Sequence, residues 1–378
     1  MSTQRKILRA PGESVSSCRH HGGTSPRDFL DFSAPLNPLG TPKVIKELIR
    51  ESVARGDYSK YPDYLYRRLR ESIASFYGLE SKFVIPLNGG SEALYIITLS
   101  LRPDSLAVFE PTFGDHRCLV EALNIELVSI PYVERGGHYE FPMSCLDGLK
   151  KASGPNTILL LSNPNNPTGA MLPVKQLTEL LDTVGSSAVV IDEAFLELCH
   201  SCGSVSALKL ARSYENLIVV RSLTKTYSTP GLRIGFLYTE NRGFLNAIES
   251  SRAPWNINSI AEAVFSEALE NHSSELKSFI EVSQAVVREE SRYLEHSLKS
   301  LGVHVYTSTA PFLLVKHSAP TSEVLKKLCE CKVFIRDAST YPYLTQYHAR
   351  ISVRLRDENE VLIRAYEKVV RDGASSRS

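Results

Sequence analysis

The chain has 378 residues, enough for two units or one large and one small, and its 43% hydrophobic content suits a globular protein with a sizeable core. Its 43 basic and 42 acidic side chains leave a formal charge of +1 with no basic stripe, which argues against a nucleic-acid partner. No apolar stretch approaches the ~20 residues of a membrane span, and the opening MSTQRKILRAPGESVSS lacks the apolar region of a secretory signal.

The 7 cysteines are odd in number and scattered, which predicts reduced thiols and a cytoplasmic protein. Cys199 and Cys202 form a CxxC and Cys329 and Cys331 a CxC. The two pairs lie far apart and neither has a second ligand pair at normal spacing, so no metal site is expected.

In chain order, residues 1–30 are polar and predict an arm. A helical pattern starts after Pro42 in VIKELIRESVA. Another, YLYRRLRESIASFYG, closes on a glycine where a helix C-cap belongs. Then short apolar runs alternate with helical stretches: FVIPL (83–87), SLAVFE (105–110), LVSIPYV (127–133), TILLLS (157–162), AVVID (188–192), LIVVRS (217–222) and IGFLYT (234–239). Continuous β-branched runs between helices predict buried, mostly parallel strands, hence an α/β sheet with its site at the carboxyl ends of the strands. After PWNINS a long helical pattern runs from about Ser259 to Ser300, broken near Asn271. The expected organisation is an arm and part of a small domain over 1–41, a large domain over 42–255, a small α+β domain over 256–372 and a disordered tail, GASSRS, over 373–378.

The strand ends carry unusual chemistry. TILLLS enters NPNNPTG, which turns the chain and leaves Asn166 outward; AVVID ends on Asp192; LIVVRS delivers Ser222, Thr224 and Lys225, with Arg233 following. FVIPL opens into Asn88-Gly89-Gly90-Ser91 at a helix start, whose free N–H groups and dipole favour an anion. A buried carboxylate needs a cationic partner, and a lysine in a dry site becomes a nucleophile when its pKa falls. One ligand suits all of these together: pyridoxal phosphate. Lys225 is then the Schiff-base lysine and Asp192 the partner of the protonated ring nitrogen. Asn166 donates to the ring oxygen, Phe113 stacks on the ring, and Gly90, Ser91, Ser222, Thr224 and Arg233 hold the phosphate. SLTK also fits the S-x-x-K of serine acyl-transfer enzymes, but the K-T-G and S-D-N that accompany it are missing.

NPNNPTG, the strand running into DEAF, and SLTKTYSTPGLRIG resemble the aspartate-aminotransferase-like enzymes of pyridoxal-phosphate fold type I, over nearly the whole chain. The resemblance implies a mostly parallel sheet flanked by helices plus a smaller α+β domain. It also implies a homodimer in which Tyr61, within KYPD, reaches the partner's cofactor phosphate, and it adds Glu92 to the cofactor set. Phe195 stands where many members have a tyrosine that donates to the ring oxygen.

Within that family the HGG at 21–23, LDFSAPLNPLG (30–40), FIRDASTYP (334–342) and HARISVR (348–354) are similar to the threonine-phosphate decarboxylases of cobalamin synthesis. That similarity implies a substrate set of His21, Asn37, Asn166, Arg336 and Arg350, because guanidinium forks suit a phosphate and a carboxylate. It departs at Pro35, where the decarboxylase pattern has a substrate-binding asparagine. The expected reaction is decarboxylation of L-threonine O-3-phosphate. The alternative is an aminotransferase acting on histidinol phosphate or a similar amino acid. A sensor with an added DNA-binding domain is a third reading, for which the ~40 residues before the first helix are too few.

Overall fold

The computed structural model describes residues 22–145, 148, 156–185, 187–200 and 206–375. A seven-stranded sheet is its centre. Its strands are β1 (Val84–Leu87), β2 (Ser105–Glu110), β3 (Glu126–Pro131), β4 (Thr157–Ser162), β5 (Ala188–Asp192), β6 (Leu217–Ser222) and β7 (Gly235–Tyr238). They lie in the order β1-β7-β6-β5-β4-β2-β3, all parallel except β7, which runs antiparallel to both its neighbours.

The continuous apolar runs have a direct cause. Successive strand side chains point to opposite faces, and here both faces are covered. Leu159, Leu161, Val189, Ile191, Leu217 and Val219 enter one core, whereas Ile158, Leu160, Val190, Ile218 and Val220 enter the other. The first core is completed by helices Arg67–Tyr77, Val174–Val184 and Ser259–Asn271, the second by Gly90–Leu101, Gly114–Leu123 and Arg242–Ser251. Helix Arg67–Tyr77 closes on Gly78 in the left-handed conformation (φ 70°), as its sequence predicts.

A second, four-stranded sheet carries His304–Val305, Phe312–Lys316, His348–Ser352 and Arg336–Asp337 in that order, antiparallel throughout. The N-terminal segment belongs with this unit: Leu30–Asp31 pairs in parallel with Val333–Phe334, and Phe32 sits in its core. The helical pattern over 259–300 is two helices, Ser259–Asn271 and Ser273–Ser300. Leu276 joins the first core and Leu294 and Leu298 the core of the second unit, so the changeover falls within the long helix, past the expected boundary at 255.

Two expectations need correction. The last helix, Arg356–Ser375, covers residues 373–375 of the expected disordered tail, and 376–378 lie outside the described residues. Reduced thiols were expected throughout, yet Cys118 and Cys199, both buried, are disulfide-bonded; Cys145, Cys329 and Cys331 are free. Cys202 lies outside the described residues. Among the described residues no His/Cys/Asp/Glu cluster could hold a metal ion, and no helix is long and apolar enough to cross a membrane.

Candidate active site

The parallel strands β4, β5 and β6 end side by side, and their last residues, Ser162, Asp192 and Ser222, line one cleft. Because β7 is antiparallel, it begins where the others end, which brings Arg233 to the same rim. Gly90 and Ser91 enter from the turn after β1, Phe113 from the turn after β2, and Asn166 from the turn after β4. Thr224, Lys225, Ala194 and Phe195 complete this wall, and Pro35, Tyr341 and Arg350 face it from the second unit and its N-terminal strand segment. Ten predicted residues thus meet in one place: Gly90, Ser91, Phe113, Asn166, Asp192, Ser222, Thr224, Lys225, Arg233 and Arg350.

At one end lies an anion cup. The helix Gly90–Leu101 starts there, with Gly89 in front of it at φ 88°. A Cβ on Gly89 would lie 2.7 Å from Arg233 Nη2, so only glycine allows the guanidinium to rest on this turn. Arg233 Nη2 donates to the Asn88 carbonyl at 3.3 Å, and the Ser222 and Thr224 hydroxyls are 2.8 Å apart. Ser91 donates to Asp115 at 2.9 Å.

At the centre, burial lowers the Lys225 pKa to about 8, helped by the charges of Arg350 and Arg233 and opposed by Asp192. Its Nζ sits 5.9 Å from the centre of the Phe195 ring. Asp192 is 8% exposed and accepts the Ala194 N–H at 3.0 Å. Its other oxygen is 3.8 Å from Nε2 of His116, a fully buried histidine whose Nε2 has no hydrogen-bond partner. Ser162 Oγ is likewise buried in the cleft wall without a partner.

At the far end Arg350 donates to Asn166 Oδ1 at 2.6 Å, to Tyr341 Oη at 3.3 Å and to the Ser33 carbonyl. All three partners are neutral, and burial pushes the Arg350 pKa down. Arg336 is its direct cross-strand neighbour but is not among the residues lining the cleft; its Nη2 donates to Thr340 Oγ1 at 2.9 Å and its guanidinium lies 5.4 Å from the Tyr341 ring centre. Like charges opposite one another across a ladder are unfavourable unless an anion joins them.

Four predicted residues are not among those lining this cleft: Arg336, Glu92, Asn37 and Tyr61, the last expected at the partner's cleft. Glu92 accepts from the Asn88 N–H and from Asn256 Nδ2 at 2.8 Å, so its carboxylate ties the turn before its own helix to the PWNIN segment. Asn37 spends its amide on the Thr226 carbonyl and Ser283. Tyr61 is 78% exposed, stacked on Trp255 with ring centres 4.6 Å apart. His21 lies outside the described residues. Missed from the sequence were Ser162, His116 and Tyr341. A one-turn spacing from Phe113 is the only sign of His116, and Tyr341 lies within FIRDASTYP with no local mark of a role.

The class I and II aminotransferase model matches residues 27–365. The chain belongs to that family. The cofactor of these enzymes is pyridoxal phosphate, and the cleft fits it: an amine of lowered pKa, a buried carboxylate, a glycine turn that accepts Arg233 and unpartnered buried polar atoms beside Asp192. Among family members, a putative threonine-phosphate decarboxylase of Caldanaerobacter subterraneus is 31% identical over 342 residues, 89% of each chain. A histidinol-phosphate aminotransferase of a Geobacillus species is 27% identical over 365 residues, 96% of this chain and 95% of the other. The solved structure of the histidinol-phosphate aminotransferase from Clostridium acetobutylicum superposes with a TM-score of 0.82 at 23% identity, covering 91% of this chain and 99% of that one, a likeness of fold.

Proposed function

We propose that the protein decarboxylates L-threonine O-3-phosphate to (R)-1-amino-2-propanol O-2-phosphate and carbon dioxide, for the cobalamin side arm. The observation that carries this reading is the pairing of Arg350 with Arg336 across one ladder, with no carboxylate among the hydrogen-bond partners of Arg350 in the described residues. A buried guanidinium with neutral partners calls for an anionic ligand, and a substrate with both a phosphate and a carboxylate supplies two anions. The threonine-phosphate decarboxylase name of the relative at 31% identity supports the same choice.

When bound, pyridoxal phosphate supplies the electron sink for breaking a bond at the substrate Cα. Lys225 is the residue that would hold its aldehyde, and its amine is the group that would move the proton at Cα. A pKa near 8 suits this role, since both protonation states are accessible close to neutrality. Asp192 is the buried carboxylate that would face the ring nitrogen. Arg350 occupies Asn166 Oδ1, so the Asn166 NH₂ would be the group left to donate to the ring oxygen. With phenylalanine at 195, Asn166 acts there without a tyrosine beside it. Gly90, Ser91, Ser222, Thr224 and Arg233 hold the phosphate. Arg350, with Arg336 as its cross-strand neighbour, would hold the substrate anions and so set which bond at Cα is presented for cleavage.

The reading includes a homodimer. Tyr58, Tyr61, Tyr64 and Trp255 are all exposed, at 67%, 78%, 51% and 44%, an aromatic patch suited to burial against a second copy. Tyr61 would then reach the partner's phosphate cup.

The histidinol-phosphate aminotransferases among the relatives make transamination the second reading. A product assay separates the two. The loaded protein is given threonine phosphate with and without 2-oxoglutarate, and histidinol phosphate likewise. Aminopropanol phosphate and carbon dioxide formed without any oxo-acid support decarboxylation. Glutamate formed from histidinol phosphate, and only with 2-oxoglutarate, overturns it.

A further inference from the structure

The turn that presents Lys225 is a helix of only four residues, Leu223–Thr226. One turn cannot hold itself, because nucleation fixes several dihedrals for a single hydrogen bond. Its geometry therefore comes from tertiary contacts. The carbonyls at its end have a distant partner: the Asn37 N–H donates to the Lys225 carbonyl at 3.2 Å, and Asn37 Nδ2 donates to the Thr226 carbonyl at 2.8 Å. The same Nδ2 reaches Ser283 Oγ at 2.7 Å, on the long helix. Asn37 thus caps the lysine turn from the N-terminal segment.

A second hold comes from the segment after β5. Thr226 Oγ1 donates to Glu197 Oε2 at 2.6 Å, and the other Glu197 oxygen accepts from the Tyr77 hydroxyl at 2.6 Å. The Glu197 carbonyl accepts Gln284 Nε2 at 3.1 Å, again from the long helix. Asn37, Thr226 and Ser283 are buried, and none of Asn37, Thr226 or Glu197 lines the cleft.

We propose that Asn37, Thr226 and Glu197 form a clasp that positions Lys225, fixing the turn so that the amine stays at its place over Phe195. They are positioning residues and touch no substrate. The clasp rests on the reading of Lys225 as the reactive amine. It also gives Asn37 a task other than substrate binding. Through Ser283 and Gln284 it ties the turn to the helix that spans both cores. The charged groups facing the amine are Arg350, Arg233 and Asp192.

Thr226→Val removes the hydroxyl at nearly constant volume, Thr226→Ser keeps it, and Asn37→Leu removes the cap. The first readout is the pH dependence of Lys225 acylation in the cofactor-free protein, followed by peptide mass spectrometry. The second is the split between kcat and KM in the loaded enzyme. A loosened turn lets water reach the amine, so in T226V and N37L the labelling midpoint rises from about 8 toward the ordinary 10.5. In the same variants kcat falls about ten- to a hundredfold with KM within about twofold, the signature of a misplaced catalytic group. T226S behaves as the parent. A folded T226V whose labelling curve and kcat match the parent overturns the clasp, as does a T226S as impaired as T226V. If N37L does not fold, the T226V and T226S pair decides alone. Cofactor loading is followed separately by visible absorption, so failure of the clasp and failure of the cofactor role of Lys225 are read on different signals.

Discussion

Asn166, in the turn after β4, and Arg350, on the small sheet, meet at 2.6 Å between Oδ1 and Nη1. One amide thereby connects the cofactor end of the cleft to its anion end. Removing the guanidinium takes away the anion partner and also releases Asn166. Arg350→Ala is expected to raise KM for the phosphorylated substrate and cost about 2–5 kcal/mol in kcat/KM. Arg350→Lys keeps the charge but not the fork, and restores little of it. Steady-state kinetics check both; an unchanged KM and kcat in the alanine variant removes Arg350 from the site.

Gly89→Ala meets two obstacles together, a φ of 88° and a Cβ 2.7 Å from Arg233 Nη2. The strain is roughly 1–3 kcal/mol, and the flexible end of Arg233 is the part that yields. Displacing it weakens the phosphate cup, so the apparent Kd for pyridoxal phosphate rises in a fluorescence titration. A variant with parent affinity would show that Arg233 is not part of the cup.

Lys225 has a lowered pKa, so the folded state binds fewer protons than the unfolded chain between about 8 and 10.5. Stability from this group therefore rises with pH across that window, and below it the buried ammonium costs stability. Cofactor-free Lys225→Met should gain more in Tm over the parent at pH 7 than at pH 10. Equal gains at both values would mean that the amine is solvated. Lys225→Ala should abolish turnover and the visible absorption of the loaded protein.

His317 behaves in the same sense at lower pH. It is buried between Thr321 Oγ1 at 3.2 Å and Tyr366 Oη at 3.0 Å, and burial holds its pKa near 4, below the ordinary 6.5. Protonation is easier in the unfolded chain, so its contribution is present above 6.5 and lost as pH falls toward 4. His317→Gln should flatten the fall in Tm over that range relative to the parent. An identical acid profile would exclude this histidine as a source of acid sensitivity.

Much of the fold was legible because of periodicity. Runs such as TILLLS and LIVVRS are apolar at every position, which fits strands covered on both faces, and all seven strands of the large sheet lie where those runs predict. The site residues that stood out, Asp192, Asn166, Lys225 and Arg233, share one property: each lies at, or within four residues of, an end of an apolar run. Glu92 and Asn37 were misjudged because motif position says nothing about the direction of a side chain. Glu92 turned back on its own helix start, and Asn37 turned toward Thr226. Tyr341 and Ser162 gave no local sign at all.

By itself, then, the amino-acid order determined the strands, the chemistry gathered at their ends and the cofactor those groups suit, since backbone periodicity and residue type are local properties. The tertiary structure alone decided which polar groups face the cleft and which hold the frame. The reason is the short reach of a hydrogen bond: whether Asn37 meets a ligand or the carbonyl of Thr226 depends on a few ångströms between segments 189 residues apart.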